Sequence, residues 1–293
     1  MWGLFAMLSA LCGGLNAVLS KRVAGRLDPV RLSLIRTAMV LAVALGASVW
    51  LGDWRTLGQM TWRSLLSIVS AGIATALAWL CYYRALSVGD VNRVTAMDKL
   101  SVVLTILGGG LFRGEPIGAA KIATMGLICL GAGIMAKSNE IDKNESEKAD
   151  GKLSWIGWSV LSVLLVSASA LLSKSGAADV GAELALVMRT AVVLVITYGV
   201  LLLKRGNAKS NKIDKRDLKT IMLTGVITGV GWIFYFRALS GAEAGAVQAL
   251  DKLSLWVTMI LSRVFFRRRF RANEMYGAVF IIAGILILFF NHN

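Results

Sequence analysis

Residues 79–105 read "WLCYYRALSVGDVNRVTAMDKLSVVLT", and residues 232–258 read "WIFYFRALSGAEAGAVQALDKLSLWVT". Laid over one another without a gap, 13 of these 27 positions are identical. The same offset of 153 residues aligns "AVLSK" (17–21) with "ALLSK" (170–174), and "IRTA" (35–38) with "MRTA" (188–191). One constant offset across four apolar segments is the mark of a duplicated unit. Each copy keeps an aspartate–lysine pair inside an apolar run, as "MDKLS" (97–101) and "LDKLS" (250–254).

The 293-residue chain around these copies is 56% hydrophobic and 17% charged, which excludes an ordinary soluble domain. A bilayer span needs about 17–25 predominantly apolar residues. Ten such runs can be marked off, at about 2–20, 31–51, 63–86, 91–111, 116–136, 153–173, 181–203, 218–240, 243–264 and 271–290. The first has no basic segment before it and no small-residue cleavage site after it, so it reads as a retained helix rather than a signal peptide. Five spans per copy is an odd number, so the second copy enters the membrane upside down relative to the first. The expected architecture is all-α and polytopic: a first repeat at 1–136, a polar linker at 137–152, and an inverted repeat at 153–293. Such inverted pairs build secondary transporters whose substrate sites lie near the midplane. The linker, "KSNEIDKNESEKADGK", has four lysines against five acids and no apolar periodicity, and reads as solvated chain.

The formal net charge of +15 is concentrated in loops such as "KRGNAKSNKIDKRDLK" (204–219) and "RRRFR" (267–271). That distribution is the positive-inside pattern and argues against nucleic acid as a partner. About 20 Lys and Arg fall on the side of the odd-numbered loops, and about five on the side carrying both termini. The bias puts the 137–152 loop in the cytoplasm and the termini outside. Cys12, Cys81 and Cys129 have no paired spacing and read as small buried apolar residues. With His292 the only histidine, a transition-metal site has no ligands, and no cofactor motif is present. No phosphate-binding loop or nucleophile elbow appears either, so the reading is not an enzyme.

The chain resembles the drug/metabolite transporter superfamily, as a protein with two EamA-type domains. The resemblance rests on the five-plus-five repeat and on Arg36 and Arg189 opening the second span of each half. It rests also on "YYRALS"/"YFRALS" closing the third span, and on "LFRGEP" (111–116) after the fourth. "FFRRRF" replaces that last segment in the second half, leaving Glu115 without a repeat counterpart. The resemblance implies transport of small metabolites or drugs and leaves the substrate class open. It also implies cytoplasmic termini, against the charge bias.

A charge at the bilayer centre costs about 2.5–3.5 kcal/mol on insertion scales, so intramembrane charges are functional candidates. Five recur in both halves: Lys21/Lys174, Arg36/Arg189, Arg84/Arg237, Asp98/Asp251 and Lys99/Lys252. By position along the spans the two sets lie towards opposite membrane faces. One reading pairs Arg84 with Asp98 across the third-to-fourth hairpin and lets the other cations reach headgroups. The other makes the clusters gates or substrate handles in alternating access. Four cations to one anion in each set points to an anionic metabolite. Trp79, Tyr82 and Tyr83, repeated as Trp232, Tyr235 and Phe236, are candidates for cavity lining or packing. Gly225 and Gly229 have the spacing of a close helix contact. The first and sixth spans contain no Asp or Glu, which disfavours drug–proton exchange through a first-span glutamate. Proton or ion coupling through Asp98 or Asp251 stays open.

The expected protein is therefore a transporter in a bacterial inner membrane, acting as exporter or exchanger, monomeric or homodimeric, with the lipid bilayer and a small-molecule substrate as its partners. The competing reading is a lipid-handling membrane protein whose basic clusters hold headgroups. Termini outside predict that a C-terminal phosphatase fusion is active and a C-terminal fluorescent fusion is dark; the opposite pair of results overturns the orientation.

Overall fold

The computed structural model describes residues 1–21, 29–51, 53–88, 91–137, 152–203, 214–266 and 272–292. Most of the 137–152 linker and of the basic loops at 204–219 and 267–271 lies outside the described residues, as do the side chains of Lys21, Tyr83 and His292. Backbone polar groups in hydrocarbon must be bonded within their own segment, so long apolar runs become helices. The first half contains α1 (Trp2–Lys21), α2 (Pro29–Leu51), a short 3-10 helix (Asp53–Gln59), α3 (Trp62–Val88), α4 (Val91–Lys99), α5 (Ser101–Arg113) and α6 (Ala119–Lys137). The second contains α7 (Lys152–Gly176), α8 (Ala182–Leu203), α9 (Lys215–Gly241), α10 (Ala244–Asp251), α11 (Ser254–Phe266) and α12 (Ala272–His292). Among the described residues these supply ten segments long and apolar enough to cross a membrane.

The fourth and ninth runs, expected as single helices, are each broken, and both breaks fall in the aspartate–lysine motif. Leu100 separates α4 from α5, and Lys252–Leu253 separate α10 from α11. Three-residue backbone bonds tighten both junctions: Leu100 N–H to the Met97 carbonyl (3.0 Å) and Leu253 N–H to the Leu250 carbonyl (2.9 Å). At the first break the Ser101 hydroxyl donates to the Asp98 carbonyl at 2.7 Å. Such satisfaction allows irregular backbone to persist at membrane depth.

Large apolar side chains lie outside as well as in the core: Leu111, Phe112, Val195, Leu203, Tyr276 and Phe290 are exposed, as on a surface made for lipid. Ser9, Ser101, Thr124, Ser162 and Ser167 are buried. Cys129 is exposed as well, against its reading as a buried residue.

The halves pack as a pseudo-two-fold pair, visible in glycines that sit one repeat apart. A Cβ on Gly72 in α3 would meet Val192 and the Arg189 carbonyl of α8; one on Gly225 in α9 would meet Met39 and the Arg36 carbonyl of α2. Both partners are shifted by the same 153 residues. Gly229 likewise lies against Val43, so the 225/229 spacing does mark a helix contact. At the axis, α6 meets α12: a Cβ on Gly131 would lie 2.5 Å from the Gly277 carbonyl. The related pair is Thr124 and Gly284, whose carbonyl accepts from the Thr124 hydroxyl at 2.8 Å.

Because the obstacle at Gly131 is backbone, no rotamer change relieves it, and overpacking of this kind costs about 1–3 kcal/mol. Gly133 on the same helix has nothing within 4 Å of its built Cβ. Gly131→Ala is expected to lower the melting temperature of the purified protein by several degrees, and Gly133→Ala to leave it level or raise it. Equal melting of the two variants refutes this packing.

Candidate functional site

Both helix breaks face a central cavity formed by two adjoining compartments of about 390 and 320 Å³. Trp79, Tyr82, Asp98, Trp232, Tyr235 and Asp251 line both compartments. Arg36 and Asn16 belong to the first, Arg189, Gln248 and Lys252 to the second. Volumes of this size suit a small organic molecule.

The two aspartate–lysine copies do not stand apart on opposite faces, as their positions along the spans imply. The Lys252 ammonium donates to the Asp98 carboxylate at 3.0 Å, across the repeat boundary. Lys99 lies 3.5 Å from the same carboxylate oxygen. The long lysine side chain closes the vertical separation that residue counting suggests, so the copies form one cluster. Asp98 is thus held by Lys252 and Lys99 rather than by Arg84, which is exposed at the end of α3 and does not line the cavity. The symmetry mate of the Lys252–Asp98 pair would join Lys99 to Asp251. Instead, Asp251 accepts from the Ser9 hydroxyl at 2.7 Å and forms no ion pair among the described residues.

The asymmetry extends to the ends of the helices. On the side carrying the termini, ion pairs cross between the halves: Lys121 to Glu243 (2.5 Å) and Lys174 to Glu115 (3.8 Å). Lys174 also donates to the Ala242 carbonyl at 2.5 Å, and Arg113 to the Ser175 hydroxyl at 2.6 Å. Arg237 pairs with buried Glu183 beside them. Asp179, between α7 and α8, accepts from Ser64 and Thr61 at 2.6 Å each. Those hydroxyls hold its carboxyl below the usual carboxylate range. This contact is therefore intact at neutral pH and is lost as pH falls through the lowered value. On the same side α10 packs on α5, with Gly245 against Ile106. Among the described residues the mate contact, α4 on α11, is not extensive. The terminal side is clasped. The cavity residues Asn16, Arg36 and Tyr82 lie on the linker-side portions of their helices.

Lys174 and Arg237 thus join this clasp and line neither compartment, whereas Arg36, Asp98, Arg189, Asp251 and Lys252 come together at the centre. Arg36 lies over Trp79, its Cζ 5.2 Å from the ring centre, and Arg189 over Trp232 at 4.0 Å. Trp232 and Tyr235 meet edge-on at 5.2 Å. Sequence reasoning missed Ser9, Gln248, Glu183, Lys121 and Glu243. Serine and glutamine carry no periodic signal, but Glu183 stands alone in "GAELALVMRTA" and was detectable as an acid at the mouth of an apolar span.

The chain matches the model of the EamA-like transporter family over residues 1–137 and 153–290. An uncharacterized transporter in the cobO 3′ region of Sinorhizobium sp is 34% identical over 135 residues, 46% of this chain and 96% of that protein. A riboflavin transporter of Rhizobium johnstonii is 29% identical over 234 residues, 78% of this chain and 70% of that one. A solved crystal structure shares the fold, with a TM-score of 0.78 at 12% identity, covering 99% of this chain and 97% of the other. The chain is an integral, multi-pass membrane protein and belongs to the EamA-like transporter family.

Proposed function

We propose that this protein is a secondary transporter of a small polar metabolite, working by alternating access. The observation that carries the reading is the unequal pairing of the repeated motif: Lys252 holds Asp98, while Asp251 accepts from the Ser9 hydroxyl and has no ion pair among the described residues. In an inverted repeat the two halves exchange conformations between the two open states. The opposite state is then the one in which Lys99 takes Asp251 and Lys252 leaves Asp98. In that state the terminal clasp, including Lys121–Glu243 and Lys174–Glu115, opens, and α4 closes on α11. In this reading the present arrangement, clasped on the terminal side, is the state that loads from the linker side.

With the basic loops in the cytoplasm of a bacterial inner membrane, this state loads from inside, which favours export or exchange. The cavity is built within one chain, so a monomer suffices for transport, whether or not copies associate in the bilayer. The Rhizobium relative is named for riboflavin, which places riboflavin in the first test panel.

The test is uptake into proteoliposomes of anionic, zwitterionic, cationic and neutral metabolites, riboflavin among them, at several imposed proton gradients. Asp98→Asn and Lys252→Met are each expected to lower the rate at least about tenfold, the first because it strands two buried ammonium groups and the second because it leaves Asp98 with the longer contact to Lys99. Wild-type rates in Asp98→Asn/Asp251→Asn would remove the gate role. Movement of labelled phospholipid between leaflets, with no solute uptake, would replace the transporter reading with lipid handling.

The clasp has its own check. In a background lacking Cys12, Cys81 and Cys129, a short bifunctional thiol reagent bridging Lys121→Cys and Glu243→Cys is expected to stop uptake, and reduction of the bridge to restore it. Unchanged uptake in the bridged protein means that the terminal side need not open.

A further inference from the structure

We propose that the cavity binds its substrate through an oxyanion, a carboxylate or phosphate, at two repeat-related arginine–tryptophan sites: Arg36 with Trp79, and Arg189 with Trp232. The inference rests on the transporter reading and narrows it to a substrate class.

Arg189 is only 5% exposed, yet it forms no ion pair among the described residues, and its Nε has no hydrogen-bond partner. The Nε of Arg36 is buried and unpartnered in the same way. A guanidinium carries five N–H donors and no acceptor, so a buried one requires oxygen atoms around it. The contacts present are to ring faces: Trp79 for Arg36, and Trp232 with Phe236 (4.8 Å) for Arg189. Stacking occupies the flat face of the cation and leaves its in-plane donors, whose fork matches an oxyanion bidentately.

No carboxylate among the described residues forms an ion pair with either arginine. Asp98 is held by Lys252 and Lys99, and Asp251 by Ser9. Packing alone does not explain the same arrangement at two positions one repeat apart, each lining one compartment. In the second compartment Gln248 donates to the Ser101 hydroxyl at 3.3 Å, while its Oε1 has no partner. That oxygen is an acceptor for a hydroxyl or N–H next to the anionic group. Because the repeats are inverted, Arg36 lies in the linker-side part of α2 and Arg189 in the terminal-side part of α8. An oxyanion received at Arg36 has its next site at Arg189.

The test is thermal unfolding of the purified protein in neutral detergent, at constant ionic strength with chloride as the balancing ion. Benzoate, inorganic phosphate and phosphatidylglycerol are added separately, with benzamide as the uncharged match to benzoate. Ligands that bind the folded state raise its melting temperature. Benzoate or phosphate is expected to give a saturable rise of several degrees that benzamide does not. Arg189→Gln and Arg36→Gln are expected to abolish the rise, Arg189→Lys to weaken it, and Arg63→Gln at the exposed start of α3 to keep it. Without added anion, Arg189→Gln is expected to melt at or above the wild type, since it removes an uncompensated buried cation. No anion-specific rise in the wild type overturns the proposal. So does a rise that survives Arg189→Gln, or an anion-free melting temperature lowered by that variant, which marks a structural arginine. A rise with phosphatidylglycerol alone assigns the arginines to lipid headgroups and overturns it too. Uptake of a neutral or cationic solute unaffected by these anions leaves the transporter standing and removes only the oxyanion sites.

Discussion

Lys252 reaches across the repeat boundary to the Asp98 carboxylate, and the arrangement of the cavity depends on that contact. A lysine and an aspartate in hydrocarbon are each unfavourable, so they persist where they neutralise one another and where the backbone beside them is satisfied. Both conditions are met at the first helix break. The Ser101 hydroxyl takes the Asp98 carbonyl, and the Ser167 hydroxyl of α7 donates to the Ser101 carbonyl at 2.8 Å. The mate of that last contact is the approach of Gly14 in α1 to the Ser254 carbonyl of α11, where a Cβ would lie 3.1 Å away. The two junctions are thus supported by the same pair of helix contacts, one through a hydroxyl and one through close packing.

Against this symmetric scaffold the differences carry meaning. Packing of α3 on α8 and α9 on α2 repeats across the offset, as does α6 against α12. Among the described residues, the contact of α10 with α5, the ion pairs on the terminal side and the hold of Lys252 on Asp98 have no repeated counterpart. Rigid shared packing with a few one-sided polar contacts is what a bistable element needs, because well-packed cores switch between discrete arrangements rather than deforming continuously. The elements that differ are short: α10 has eight residues and α4 nine. Short half-helices can tilt about the breaks while the long helices keep their glycine contacts.

Much of this fold was legible in the chain. The offset of 153 residues, the odd number of spans per copy and the apolar run lengths together specify an inverted ten-helix protein. The site was legible only as a set of repeated charges, and their sorting was not. Arg84 and Arg237 are equivalent in the alignment, yet Arg237 has buried Glu183 beside it and Arg84 ends α3 exposed. Depth along a helix placed Asp98 and Asp251 near opposite faces, but it gave no account of lysine reach or of the tilt that broken helices permit. In the clasp pair Lys121–Glu243 the repeat mate of Lys121 is the acid Glu274, so internal comparison does not pick out the pair. Serine and glutamine contacts depend on which helix faces meet, and uniformly apolar spans carry too little periodicity to define a face.

In the proposed cycle, charge balance links the gate to the cargo. Around the cavity stand Arg36, Arg189, Lys99 and Lys252 against Asp98 and Asp251, a positive excess inside low-dielectric walls. In the present state Asp98 is paired with two ammonium groups, while Asp251 forms no ion pair among the described residues. Transferring Lys252 away from Asp98 without any other change would expose a lysine to the uncompensated field of both arginines. An oxyanion at either arginine reduces that field and so lowers the cost of the transfer. A cargo of that charge favours the exchange of lysine partners by differential interaction with the two states, the condition under which a ligand can shift a conformational equilibrium at all. A neutral cargo of the same shape would fill the cavity and leave that electrostatic barrier where it was.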